Sequence, residues 1–281
     1  MKALRTLVLA SALVWPATVF AADLQVPKNV VAGQSVTINS APGGTMYLFG
    51  PNVAVKQNVD AGTVEVPGER LQAAGRYTVV IGDSKATFFV TNGKPESIAF
   101  LARPSRVPAA AEEAVTGTAF IFDRYDNLVR QPLPVKFELA VAGGAPETRT
   151  ATSRDGAAWV KMNSGRKEGA AQFVASTGAI STKRVVQHVA SDPCSIRMRA
   201  VRGNNGNIVV ETDPIRDCSG NAVPDGTIVT FTSVDRKGRS TIDARIKRGI
   251  ARAELPASDN ATISVAAGVV MGNEIRWGGG R

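Results

Sequence analysis

Reactive side chains are scarce: the 281 residues include two cysteines and one histidine. Most metal and redox chemistry built on His and Cys ligands is therefore removed, and a disulfide-dense scaffold is excluded. No Gly-x-Ser-x-Gly elbow, phosphate-binding loop or dinucleotide fingerprint occurs anywhere. Aromatics make up only 6%. No run beyond residue 21 is apolar over the ~20 residues that a membrane helix needs. Helical periodicity is also missing. Hydrophobic residues at 44%, charged residues at 20% and 27 Gly with 15 Pro exclude disorder, collagen and a coiled coil.

The first 21 residues read as a secretory signal peptide. Lys2 and Arg5 precede the apolar run Leu7 to Val14, Pro16 interrupts it, and Val19-Phe20-Ala21 supplies the small residues of a cleavage site. The expected mature chain is exported, secreted or periplasmic, with surface association left open and no transmembrane segment. Without the two leader cations, 31 basic residues stand against 24 acidic ones, a net of +7. Residues 22–93 are neutral, with five of each sign, so the excess lies in the C-terminal two thirds.

What remains alternates. Ser35-Val36-Thr37-Ile38, Tyr77-Thr78-Val79-Val80, Val135-Lys136-Phe137-Glu138-Leu139 and Thr227-Ile228-Val229-Thr230-Phe231 are period-two runs separated by Gly, Pro, Asn and Asp. Such runs, with turn signals every ~8–12 residues, predict antiparallel β-sandwiches. A gapless internal repeat sharpens the expectation. Asp123, Asn127, Val129, Val135 and Phe137 recur at the same spacing as Asp217, Asn221, Val223, Val229 and Phe231. Downstream, Gly156, Ala158, Val160 and Met162 match Gly249, Ala251, Ala253 and Leu255. The Asp and Asn suit a turn and the Gly suits a hairpin, so the repeat reads as folding residues.

The pattern Asp-x-x-Gly-Asn-x-Val-Pro-x-Gly-x-x-Val-x-Phe at Asp217 to Phe231, with Gly-x-Ala-x-x-x-Leu at Gly249 to Leu255, resembles the bacterial immunoglobulin-like domains of invasin and intimin. The middle copy departs from it, with Asp126 before Asn127 and Leu133-Pro134 in place of Thr227-Ile228. The resemblance covers about residues 96–275 and implies a non-catalytic surface or periplasmic spacer or adhesive module. Leu71-x-x-Ala74-Gly75-x-Tyr77-x-Val79 is similar to the segment entering strand F of immunoglobulin-like domains, where a Tyr hydroxyl closes a tyrosine corner. The expected fold is thus all-β, three tandem immunoglobulin-like sandwiches at 22–93, 94–192 and 193–276. Residues 277–281 are expected to form a flexible tail.

Cys194 and Cys218, alone in an oxidising compartment, predict one structural disulfide worth roughly 3.5 kcal/mol by chain entropy. His188 falls in an expected strand and reads as a solvent-face residue. Acidic groups at Asp123, Asp126, Asp213 and Asp217 have Arg124 and Arg216 among them, which favours turn caps over calcium ligands. Neither a metal nor a cofactor is expected. Residues 236–252 carry seven basic residues and one acid. Alternation with Ile242, Ala244 and Ile246 predicts a basic hairpin presenting Arg239, Arg245, Lys247, Arg248 and Arg252 to an anionic partner, a protein or an envelope polymer. Export and the lack of stacking aromatics argue against nucleic acid. The expected function is a non-enzymatic interaction, adhesion or spacer module at the cell envelope. A carbohydrate-binding accessory role is the alternative, with Tyr47, Tyr125, Trp159 and Trp277 as its candidate aromatics.

Overall fold

The computed structural model describes residues 24–278 except Pro42 and Ala257; the expected signal peptide and Gly279–Arg281 lie outside the described residues. Contacts divide the chain into two compact units, one running to Gly93 with Tyr125–Asn127, the other comprising Lys94–Arg124 and everything from Leu128 on.

The first unit contains β1 (Asn29–Val31), β2 (Val36–Ser40), β3 (Gly44–Gly50), β4 (Val53–Val59), β5 (Gly62–Val66), β6 (Gly75–Ile81) and β7 (Ser84–Thr91). A five-stranded sheet, ordered β1-β7-β6-β3-β4, and the pair β2-β5 enclose Ile38, Leu48, Tyr77, Val79 and Phe88. These positions alternate with exposed ones along each strand, as the period-two pattern requires. The tyrosine corner is present: the Tyr77 hydroxyl donates to the Ala73 carbonyl at 3.0 Å. Tyr125 packs half-buried against this core and is not an exposed ring. Asn127 accepts the Ala74 N–H at 2.7 Å and donates to the Gln72 carbonyl at 2.8 Å.

The second unit opens with β8 (Ser97–Arg103), β9 (Arg106–Pro108), β10 (Val115–Phe122), β11 (Pro134–Val141), β12 (Glu147–Thr152), β13 (Ala157–Met162), β14 (Gly169–Thr177) and β15 (Ile180–Val189). Sheets β13-β10-β8 and β12-β11-β14-β15-β9 close over Phe100, Phe137 and Phe173, whose ring centroids lie 5.0–6.3 Å apart. Each such fully buried ring contributes about 1.5–3 kcal/mol. It continues with β16 (Met198–Arg202), β17 (Ile208–Thr212), β18 (Ile228–Asp235), β19 (Gly238–Arg245), β20 (Arg252–Leu255), β21 (Ala261–Ala267) and β22 (Val270–Trp277). Here β16-β17-β20 and β19-β18-β21-β22 bury Phe231, Leu255, Ile263 and Val265.

The repeat does the folding work expected of it. Phe137 and Phe231 occupy equivalent central strands, β11 and β18, each flanked by the same neighbours in order. Gly156 and Gly249 both have positive φ, +83° and +81°, and each follows a residue that is also left-handed, Asp155 or Arg248. Two successive positive φ angles form the tight turn that matches strand twist, so the second position calls for Gly.

Two expectations need correction. His188 is buried, not solvent-facing. In β15 the alternation runs inward through Val186 and His188 to Ala190, and an apolar environment follows from that phase. Trp277 is not part of a tail: it ends β22 opposite Ala261 and packs half-buried on the third core.

Candidate functional site

The basic segment 236–252 does not form a hairpin. β19 pairs with β18 and is the free edge of its four-stranded sheet, whereas β20 pairs with β17 and is the free edge of the opposite sheet. Residues 246–251 cross between the sheets. Ile246 anchors the crossing in the core, exchanging backbone bonds with Thr227 and Gly226. Lys247 and Ile250 bond reciprocally around Arg248-Gly249, and the Asp225 carboxylate accepts both turn N–H groups at 2.9 and 3.2 Å. Those two backbone donors hold the Asp225 carboxyl below its ordinary pKa.

The sandwich is consequently open along one edge, and a groove of about 680 Å³ runs between β19 and β20. Its floor is apolar, from Ile242, Ala244, Ile250 and Ala253, and its rim carries Arg245, Lys247, Arg248 and Arg252. Glu211, Asp243 and Glu254 also line it. Glu211 is already engaged: Arg199 pairs with it at 2.6 Å, and that bond with the charge of Arg252 lowers the Glu211 pKa. Asp243 accepts the Thr230 hydroxyl at 2.6 Å. With Glu211 neutralised by Arg199, four cations face two carboxylates, and the groove is left cationic.

Four of the five expected basic residues thus come together. Arg239 does not. It sits at the opposite end of β19, near Asp235 and Lys237. Six strand residues from Arg245 amount to ~20 Å, beyond the ~8 Å over which charges add at physiological salt. Ile242 and Ala244 of the floor are the inward residues that alternation gave, whereas the Glu211–Arg199 pair was not found from the sequence, because it comes from β16 and β17 rather than from the basic segment itself.

Cys194 and Cys218 are joined in a disulfide beside a second polar cluster. Asp217, next to Cys218, is buried and accepts hydrogen bonds from Ser191, Ser219 and Asn221. Burial pushes its carboxyl up, but those donors outweigh it and the pKa is lowered. Asn221 in turn bonds to the backbone of Arg166 and Glu168. The repeat's Asp and Asn therefore do more than shape a local turn. Among the described residues, no group of three His, Cys, Asp or Glu is placed to hold a metal ion.

Of the four candidate aromatics, Tyr47 and Trp159 are exposed, while Tyr125 and Trp277 are tucked against cores. Phe49 and Phe89 are exposed as well. Their signal was present in the sequence: Met46-Tyr47-Leu48-Phe49 and Phe88-Phe89 are apolar at consecutive positions, so a strand must turn half of them outward.

No protein-family model matches the chain. No curated protein matches it in sequence. Among solved structures it is similar to FdeC, an Escherichia coli adhesin, at 16% identity and a TM-score of 0.60 over 86% of this chain and 90% of that one. It is also similar to InvD of Yersinia pseudotuberculosis, at 12% identity and a TM-score of 0.50 over 90% and 95% of the two chains. The chain folds as a tandem array of immunoglobulin-like sandwiches of the kind found in those two bacterial proteins.

Proposed function

We propose that the chain is an exported, non-enzymatic interaction module of the bacterial cell envelope, and that the β19–β20 groove receives an anionic partner. The groove carries this reading: two unpaired strand edges, an apolar floor and four rim cations lie together. An acidic protein segment or an anionic envelope polymer meets those features, with charge steering the encounter and the floor holding the bound segment. The leader at 1–21 and the single cysteine pair support export. FdeC, which shares the fold, is an adhesin, and an adhesive or interaction role suits the same architecture here. The only histidine lies in another sandwich, away from the groove.

The test is a triple reversal, Arg245→Glu, Lys247→Glu and Arg252→Glu, which leaves the apolar floor intact. Envelope extract should bind the parent chain with an affinity that falls as salt rises, and the folded variant should lose that binding. Equal affinity and an equal salt slope in the variant would reduce the groove to a solvated edge.

A further inference from the structure

The outward face of the five-stranded sheet in the first unit has a composition unlike the rest of that unit. Cross-strand register sets out its rows. Asn29, Phe89 and Arg76 are opposite one another across β1, β7 and β6. Thr87, Thr78, Phe49 and Ala54 make the next row, and Lys85, Val80, Tyr47 and Lys56 the one after. Three aromatic rings, three cations and a pair of threonines share the face. Among the described residues no carboxylate does, although residues 22–93 are neutral overall with five acidic residues. Of those, Asp60 and Asp83 lie in the turns at one end, while Glu65 is on β5 of the other sheet. Charge is thus sorted by face within a neutral segment.

The rings are accessible. Tyr47, Phe49 and Phe89 are 36%, 49% and 50% exposed. Tyr47 and Phe49, two apart on β3, hold their rings parallel to within 1° at a centroid separation of 6.3 Å, a stacked pair of half-exposed rings. Lys56 stands over the Tyr47 ring at 5.7 Å, and Arg76 is directly opposite Phe89. Two of the three rings therefore have a cation over or opposite them, while Phe49 lies between Thr78 and Ala54. Half-exposed rings of this kind leave roughly 300 Å² of aromatic surface, well short of the ~800 Å² each partner buries in a stable protein interface. A site for a few sugar rings of an anionic chain fits the area.

We infer that this face binds an acidic polysaccharide, with sugar rings packing on the exposed faces of the Tyr47–Phe49 pair and of Phe89 while Lys56, Arg76 and Lys85 pair with its carboxylates. The pyranose C–H face packs on an aromatic face, and Thr78 and Thr87 between the rings supply hydroxyls for the sugar's own. Lys56 leaves the Tyr47 ring for the incoming anion. This site is independent of the basic groove in the third sandwich.

The experiment is affinity electrophoresis of the mature chain through gels containing polygalacturonate, neutral dextran or poly-glutamate. Polygalacturonate should retard the protein, and dextran should not. Phe49→Ala and the pair Arg76→Gln, Lys85→Gln should each weaken retardation roughly tenfold, with unchanged melting temperature and circular dichroism as the fold control. The Arg245→Glu, Lys247→Glu, Arg252→Glu groove variant should be retarded as the parent is. Equal retardation by poly-glutamate, insensitivity to Phe49→Ala, loss in the groove variant, or no retardation by polygalacturonate would each overturn the inference.

Discussion

Asn221 holds Glu168 by the backbone: its Oδ1 accepts the Glu168 N–H at 3.1 Å while its Nδ2 donates to the Arg166 carbonyl at 2.7 Å. A side-chain amide used in this way imitates a strand partner, satisfying one donor and one acceptor two residues apart. Asn127 engages Ala74 and Gln72 identically, and in both cases the clasped segment leads into a strand that opens with a positive-φ glycine, Gly169 or Gly75. Replacing Asn221 with Ala removes two hydrogen bonds to the exposed 166–168 backbone and a third to the buried Asp217 carboxylate, at a cost of about 1 kcal/mol for the backbone pair and about 1.5–3 kcal/mol for the bond to the charged group. The expected outcome is faster amide exchange at residues 166–168 with the Phe137 and Phe231 cores still protected. Unchanged exchange at Glu168 would mean that the clasp holds nothing.

Asp217 gives this region a pH dependence in strong acid. Its folded pKa is lowered, so the unfolded chain takes up the proton first and stability falls as pH drops. The contribution is complete above the ordinary carboxylate range near ~4 and is lost as pH falls through the lower folded value. Asp217→Asn should therefore lose stability at neutral pH and converge on the parent below pH ~4. Thermal melts across pH 2–7 should bring the two curves together in acid; a constant gap would remove Asp217 ionisation from the account.

Reduction of Cys194–Cys218 should destabilise the third sandwich by up to about 3.5 kcal/mol. The bridge closes the chain across a sequence separation of 24 residues, and the Cys194 N–H donates to Arg216 beside it. Trp277 reports on this core. In a Trp159→Phe background its fluorescence isolates the transition, which should shift to lower urea on reduction while the first unit's does not. Identical midpoints with and without reductant would count against a stabilising bridge.

The fold was legible because each sandwich obeys a local rule: alternation sets the inward face and the turn residues end each strand. Tyr77 and the repeat's Phe137 and Phe231 could be read for the same reason, as their partners lie within the same domain's pattern. The basic groove was legible only in part. Its cations are consecutive in sequence, but whether Arg252 pairs back on β19 or crosses to the other sheet depends on Ile246 entering the core and on Asp225 capping the turn. Charge periodicity contains neither fact. The reach of Asn221 to Arg166 and Glu168 was equally hidden, because a polar side chain reads alike whether it closes its own turn or another segment's.

His188 supplies the last expectation. The ring is 1% exposed, and neither nitrogen has a hydrogen-bond partner among the described residues. Burial lowers its pKa, with a smaller upward pull from the Lys167 backbone. Glu147, Arg166 and Lys167 line the same cavity of about 430 Å³. Arg166 and Lys167 oppose a second positive charge, while Glu147 is already paired with Arg149 at 3.0 Å. Folded His188 is thus neutral where the unfolded chain's imidazole, with a pKa near ~6.5, is protonated. Stability is complete above that value and declines below it by at most about 1.4 kcal/mol per pH unit, until the folded ring also titrates. His188→Phe retains the ring volume and removes the proton site. Urea titrations at pH 7.5, 6 and 5 should show the parent losing stability across the series and the variant staying level above the carboxylate range. If both chains follow one slope, the buried histidine is not what couples this sandwich to pH.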